Sequence, residues 1–331
     1  MTSIHDLSTP ALLVDSRALE HNLSTLATAL PGVRARPHVK AHKCTALAKR
    51  QHAHGHSTFC AATPLELCGM AEAGLGEDLL LANESVDPQR LSQLAKLDAR
   101  ITVAVDSQAT IDTAAAAGLR ETLIDVNVGL PRCGCPPDRA AEIAQRARDA
   151  GLTVRGVMGY EGHVVGQAER ATREEQCEVS MKLLAEAHAA VGGEVMSAGG
   201  TGTYDINRWA NELQVGSYAL MDTAYGELGL PFEQALSLWC TVVSVSEKFA
   251  VLDGGLKSLG MDHGNPTVVG GKLWFCSDEH ITFAPEAPVR VGERMRVIPA
   301  HVDPTIAYHA HMHVTEDEQV LERWAVDLRG W

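Results

Sequence analysis

Between residues 33 and 220 the chain alternates short strand-forming runs with longer helix-forming ones, and this alternation constrains the fold more than any other feature. The strand candidates are VRARPHV (33–39), STFC (57–60), DLLLA (78–82), ITVAV (101–105), TLIDVNV (122–128), TVRGVM (153–158), EVMSA (194–198) and LQVGS (213–217). Between them lie helical stretches such as TALAKRQHA (45–53), PLELCGMAEA (64–73) and RAAEIAQRARDA (139–150), and a further helix from Arg17 to Leu30 precedes the first strand. Gly55, Gly74, Gly118 and Gly151 each follow such a stretch, where a left-handed cap is expected. The first five strands recur about every 22 residues, which suits repeated βα units and a parallel sheet. Eight strands in series predict an α/β fold of the (β/α)8 barrel type rather than an open sheet. After about residue 229 the texture changes. LSLWCTVVSVSE, FAVLDGG, KLWFCSDEHITFA, ERMRVIPAHVD and AYHAHMHVTE are strand-like runs separated by Gly, Pro and acidic turns, as in a C-terminal antiparallel β domain. The expected domains are a barrel over 12–228 and a β domain over 229–331 that also takes in residues 1–11.

Composition narrows the partners. The 331 residues are 45% apolar and 21% charged, ordinary for a globular protein. A net charge of −14 disfavours nucleic acid, which needs clustered Lys and Arg. No apolar run approaches the ~20 residues that span a bilayer, and MTSIHDLSTP has neither the basic nor the apolar region of a signal peptide. A cytoplasmic location is expected. The eight cysteines are scattered, as buried thiols in a reducing compartment are. Cys133-Gly134-Cys135 lacks the two-residue gap of the usual zinc and redox motifs.

Three places carry chemistry. RARPHVKAHKC (34–44) loads the first strand with cations and imidazoles and puts Lys40 at its C-terminal tip, where barrels keep their catalytic groups. Lys40 is thus either an amine nucleophile, with Arg36 and Lys43 as neighbouring cations, or a side chain that snorkels to solvent. SAGGTGTYD (197–205) follows the seventh strand and QVGSY (214–218) closes the eighth, the loops from which barrels commonly build a phosphate site. Glycine N–H groups can approach an anion closely, with Thr201, Thr203 and Ser217 hydroxyls in support; the other reading is a pair of tight turns. In PAHVDPT (299–305), His301 and Asp303 lie two apart on an expected strand and so share a face, as two ligands of one divalent metal or as polar surface. An imidazole with a carboxylate suits Zn, Mn, Co or Mg. His309, His311 and His313 also share a strand face and read as a surface row or, at most, as supports behind a metal ligand. Arg132, in VGLPRCG, follows the fifth strand, and Tyr160, in GVMGYEGH, follows the sixth, where an aromatic can stack on a flat ring. His163 is an acid–base candidate or a loop histidine with a local hydrogen bond.

Taken in order, TPALLVD, RPHVKAHK, NE (83–84), VNVGLPRCG, GGTGT, ELQVGSYALMD, LDGGLKS, SDEH and PAHVDPT span nearly the whole chain. Together they resemble the D-threonine aldolase and D-serine dehydratase family of pyridoxal-phosphate enzymes, which share an alanine-racemase-like barrel plus β domain (fold type III). The resemblance implies that Lys40 holds pyridoxal 5'-phosphate, that Tyr160 stacks on its ring and that Arg132 faces its phenolic oxygen. It places Thr201, Gly202, Thr203, Gly216, Ser217 and Tyr218 in the phosphate-binding stretches, and makes His301 and Asp303 the ligands of a divalent metal. Eukaryotic D-serine dehydratases have a cysteine as second ligand, so Asp303 points to the aldolase branch and bacterial hydroxyaspartate enzymes. FCAAT (59–63) and EGHVVG (161–166) depart from the better-known aldolases. The expected substrate is a D-β-hydroxy amino acid, such as D-threonine, cleaved to glycine and an aldehyde. Dehydration of D-serine or D-3-hydroxyaspartate is the alternative. A racemase gains nothing from a metal, and the small non-enzymatic pyridoxal-phosphate-binding proteins with this barrel lack a β domain. A homodimer is expected by analogy.

Overall fold

The computed structural model describes residues 2–331. The chain forms two compact units, one of residues 26–40, 47–216 and 330–331, the other of residues up to 25, 41–46 and 217–329. These divide the chain differently from the expected domains, chiefly because Ala11–Asp15 is a strand of the β sheet.

The first unit holds seven parallel strands in chain order: Thr58–Ala61, Asp78–Leu81, Ile101–Val105, Glu121–Asp125, Thr153–Gly159, Val195–Ala198 and Glu212–Leu213. Residues 35–38 join the two edges, Ala35 bridging to Leu213 and His38 to Cys60, and so close the barrel. The expected strand 33–39 is shorter than its sequence implies. Gly32–Arg34 and Val39–Ala41 are 3-10 turns, and Pro37 between them has no N–H for a ladder. The expected strand 213–217 likewise shrinks to Glu212–Leu213. At 126–128 the chain leaves the sheet early, because Val126 bridges to Cys135 and fixes the loop that carries Arg132. All four glycines expected to cap helices have positive φ, from 81° to 97°. Helix Pro64–Glu72 shows why the helices start where they do: Thr63 accepts from the Glu66 N–H, and Glu66 accepts in return from the N–H of Ala62 and Thr63.

Alternate residues of each strand face the barrel interior and form layers. A collar of Cys60, Leu80, Ala104, Leu123, Met158 and Val195 supplies one buried side chain from each of six successive strands. Toward the strands' N-terminal ends is a buried ionic layer of Arg36, Asp78, Arg155 and Glu212. Toward the C-terminal ends are Asp125 and the loops bearing Lys40, Arg132 and Tyr160.

In the second unit the long strand Leu236–Val245 pairs antiparallel with Ala11–Asp15, Ala250–Leu252 and Arg294–Ile298. One pair departs from the antiparallel expectation, since Ala11–Asp15 runs parallel to His311–Glu316. The run 272–284 is a hairpin of Gly271–Cys276 and Ile281–Pro285. Ile4, Leu13 and Trp239 pack in one buried cluster, and the indole N–H of Trp239 donates to the Ile4 carbonyl at 3.1 Å. Among the described residues no helix is long and apolar enough to cross a membrane.

Candidate active site

Lys40 sits in the turn Val39–Ala41, and its backbone N–H faces His38 Nδ1 at 3.4 Å. Its Nζ lies 5.9 Å from the centroid of the Tyr160 ring, and the Arg132 guanidinium carbon lies 5.3 Å from the same centroid. Two cations far apart in sequence thus converge on one aromatic ring. Tyr160 directly follows strand Thr153–Gly159, so the sheet fixes its backbone. Glycine at 162 leaves room for the ring, since a Cβ there would fall 2.5 Å from Tyr160 Cε1. A lysine amine, a guanidinium and an aromatic face beside a glycine turn are what a flat, anionic aldehyde cofactor requires, so these residues fit pyridoxal phosphate. Arg36 is not a neighbouring cation of this cluster. Its terminal nitrogens are engaged in the ionic layer, bonded to Asp78 at 3.0 Å and Glu212 at 2.8 Å. His163 is exposed and lies against Gly129, where a Cβ would meet its Cε1 at 2.7 Å.

The turn Thr201–Thr203 is held from within by a residue that sequence reading passed over. Glu161 is fully buried, and its carboxylate accepts from Gly199 N–H at 3.0 Å, Thr203 Oγ1 at 2.8 Å and Asn207 Nδ2 at 3.2 Å. The Thr203 hydroxyl, expected to support a phosphate, therefore spends its proton on Glu161 and also accepts from the Gly200 N–H. Gly202 is needed for close packing, since a Cβ there would lie 1.8 Å from the Val165 carbonyl oxygen. Thr201 is buried in the same turn. Gly216 ends the barrel unit; in the β-domain unit Ser217 is buried, its carbonyl accepting from Met221 N–H at 2.8 Å, and the buried Tyr218 ring packs against Phe232 at 5.5 Å.

At the C-terminal tip of strand Glu121–Asp125, the Asp125 carboxyl is buried. Burial pushes its pKa well above the usual carboxylate range, and Glu84 pushes it further in the same direction. Burial together with Glu84 also raises the Cys133 thiol to about 11, which disfavours its thiolate.

In the second unit, His301 and Asp303 are not on a strand. His301 is the N-cap of helix Val302–Tyr308, and Asp303 lies in its first turn. Pro304 fits that first turn, where its missing N–H is not needed, and the acidic Asp303 beside it is a helix-start signal that sequence reading passed over. The pair still comes together: His301 Nε2 is 3.7 Å from Asp303 Oδ2. On the other side of the ring, His301 Nδ1 is 2.8 Å from Asp262, and His263 stacks on the His301 ring at 3.7 Å. Burial pushes the Asp262 carboxyl up, but the hydrogen bond and charge of His301 outweigh it and hold the group below its ordinary range. With Nδ1 engaged by Asp262, Nε2 is the ring nitrogen turned toward Asp303, the carboxylate–histidine arrangement that orients a metal ligand. The donor set fits a divalent metal. Asp222, also buried, fixes this helix start by accepting from Val302 N–H at 2.9 Å. His309 is the C-cap of the same helix and donates from Nε2 to the Ser258 carbonyl at 2.9 Å, while His311 and His313 lie half-buried on strand His311–Glu316, so His309 does not belong to the row expected on that strand.

A closed parallel barrel with a lysine at its mouth, in a chain with an antiparallel β domain, defines the alanine-racemase-like class of fold. The chain belongs to the family of the "Alanine racemase, N-terminal domain", whose model matches residues 14–241, and residues 235–315 match the "Putative serine dehydratase domain". It is 32% identical to a D-threonine aldolase of an Arthrobacter species, over 98% of this chain and 93% of that protein. Identity to a 3-hydroxy-D-aspartate aldolase of Paracoccus denitrificans is also 32%, with the same coverage. The crystal structure of D-threonine aldolase from Filomicrobium marinum superposes with a TM-score of 0.94 at 33% identity, covering 99% of this chain and 97% of that one. Membership of this family implies pyridoxal phosphate as cofactor.

Proposed function

We propose that this protein is a pyridoxal-phosphate- and divalent-metal-dependent lyase that cleaves a D-β-hydroxy amino acid of the D-threonine type into glycine and an aldehyde. The observation that carries this reading is the convergence of Lys40 and Arg132 on the Tyr160 ring, at 5.9 and 5.3 Å, in a chain whose relatives are named as aldolases of this kind. Bound pyridoxal phosphate supplies an electron sink for negative charge at the substrate's Cα. Lys40 is the amine that holds the cofactor, Tyr160 supports its ring, and Arg132 offers a cation to its oxygen. Thr201, Gly202, Gly216, Ser217 and Tyr218 form the stretches assigned to the phosphate. His301 and Asp303 are the metal ligands, with Mn, Mg, Co or Zn compatible with the donor set, and such an ion would lend Lewis acidity to the substrate's β-hydroxyl. Asp262 keeps the His301 imidazole turned so that Nε2 faces Asp303. The protein acts on a small amino acid, as a homodimer in the cytoplasm.

Dehydration is the second reading, favoured by the match of residues 235–315, which include His301 and Asp303, to a serine dehydratase domain. One assay separates the two. Purified protein supplied with pyridoxal phosphate and Mn²⁺ is incubated with a panel of D-β-hydroxy amino acids, with and without chelator. Aldehyde plus glycine is expected from the D-threonine type of substrate, and its loss on chelation. Oxo acid plus ammonia would establish the dehydratase instead, and no aldehyde from any member of the panel would sink the aldolase reading. Asp262→Asn is expected to weaken metal affinity by about 10- to 100-fold, the usual weight of such a supporting carboxylate, as measured by metal titration.

A further inference from the structure

We infer that Glu161 is a positioning residue for the cofactor's phosphate, acting through the turn 199–203; the inference rests on the reading of that turn as the phosphate site. Glu161 is 0% exposed, and its bonding partners are all neutral: the Gly199 N–H, the Thr203 hydroxyl, the Asn207 amide and, more distantly, the Cys177 thiol at 3.9 Å. A carboxylate buried without a cation is costly unless several donors converge on it. Three of the four donors belong to residues 199–207. What this carboxylate fixes is therefore the course of one loop.

The bonds form a chain. Glu161 takes the Gly199 N–H on one oxygen and the Thr203 proton on the other, and Thr203 Oγ1 in turn accepts the Gly200 N–H at 3.2 Å. The Thr203 N–H closes on the Gly200 carbonyl at 3.1 Å. Both residues flanking Thr201 and Gly202 are thus tied to a single buried carboxylate. The Glu161 carbonyl also accepts from Val164 N–H at 2.8 Å and from Val165 N–H at 3.3 Å, so the segment against which Gly202 packs hangs from the same residue. Glu161 follows Tyr160 directly, so one short stretch supports both the ring face and the turn.

Charge alone argues the opposite way, which makes the inference testable. A negative group behind an anion site repels the anion, so neutralising it would strengthen phosphate binding if electrostatics were its only effect. Glu161→Gln removes the charge but swaps one acceptor for an NH₂ that must face either the Gly199 N–H or the Thr203 hydroxyl. Positioning predicts weaker phosphate binding from the same change.

The experiment strips the full-length protein of cofactor and measures equilibrium binding of pyridoxal 5'-phosphate and of pyridoxal, which lacks the phosphate, by absorbance. Wild type is expected to prefer the phosphate ester. Glu161→Gln is expected to lose about tenfold or more in affinity for pyridoxal 5'-phosphate, the weight of one charge-assisted hydrogen bond, with pyridoxal affinity unchanged. Thr203→Val, which removes the linking hydroxyl and keeps the shape, is expected to give the same selective loss, and Thr203→Ser to restore the preference. A variant that retains the wild-type ratio of the two affinities overturns the inference, whatever happens to its melting temperature. If Glu161→Gln does not fold, the Thr203 pair decides by the same ratio. Equal binding of both compounds by wild type would instead remove the phosphate reading of the turn, and the inference with it.

Discussion

Asp78 and Asp125 stand in the same parallel sheet, one as the first residue of its strand and the other as the last residue of another, and their surroundings are opposite. Asp78 accepts from Arg36 at 3.0 Å and from both terminal nitrogens of Arg155, at 3.1 and 2.9 Å. Burial pushes its carboxyl up, but the two guanidiniums outweigh burial and hold it below the ordinary range. Glu212, Glu194 and Glu121 complete the layer around Arg36, Arg155 and Arg100. At the other end of the barrel, burial and the nearby Glu84 both raise the Asp125 carboxyl, and Arg132 offsets them only in part. There the cations Lys40 and Arg132 approach the Tyr160 face. The floor spends its charges on one another and is structural. The mouth gathers Lys40, Arg132 and a carboxyl shifted from its ordinary range, as functional sites commonly do.

The largest expected effect tests the mouth. Lys40→Ala should lower lyase activity by on the order of 10³-fold or more, since it removes the amine assigned to hold the cofactor. Cofactor-free protein should melt within a degree or two of wild type, because the change breaks no buried pair. If Lys40→Ala melts much earlier than wild type, the distinction between the ends fails.

The floor should respond in reverse. Asp78→Ala removes the carboxylate shared by two buried guanidiniums and should cost about 3–5 kcal/mol of stability, read from urea midpoints. The pH dependence has a definite sign. Asp78 has its folded pKa below the unfolded value of about 3.9, so its contribution is complete above that pH and is lost as pH falls through the lower, folded value. The penalty for Asp78→Ala should therefore shrink as pH falls below about 3.9. A constant penalty would mean that the cavity, not the ion pair, is being measured.

What the sequence made legible follows from how local the cause is. Six of the seven barrel strands and the glycine caps were readable, because alternation and left-handed caps are set within a few residues. Arg36 read as a neighbouring cation of Lys40, and only the closed barrel shows that its guanidinium lies in the floor. The HVDPT segment carried its own helix-start signal, Asp and Pro in a first turn, and the strand reading overrode it. Asp262 comes to His301 across 39 residues of chain, and Glu161 reaches Asn207 across 46. A buried glutamate looks like any surface glutamate until the fold brings its donors. The cofactor roles of Tyr160 and Arg132 came from family resemblance rather than from spacing.

The smallest expected effect sharpens the comparison most, because its sign is opposite to that at the floor. The folded pKa of Asp125 lies above the unfolded value of about 3.9, so its contribution is present below that pH and is lost as pH rises through the folded value. At neutral pH the native state carries a buried carboxyl next to Glu84 at a net cost. Asp125→Asn keeps a donor for Glu84 and removes the titration, so it should stabilise the cofactor-free protein by about 0.5–2 kcal/mol at pH 7–8, the usual range for relief of a strained site. The gain should vanish toward pH 4, where wild-type Asp125 is protonated, and urea midpoints across pH 4–8 would show this. A variant less stable than wild type at every pH would mean that Asp125 is a structural member of the mouth like Asp78 at the floor. A stabilised variant with reduced activity would mark this carboxyl as retained for function against its cost to the fold.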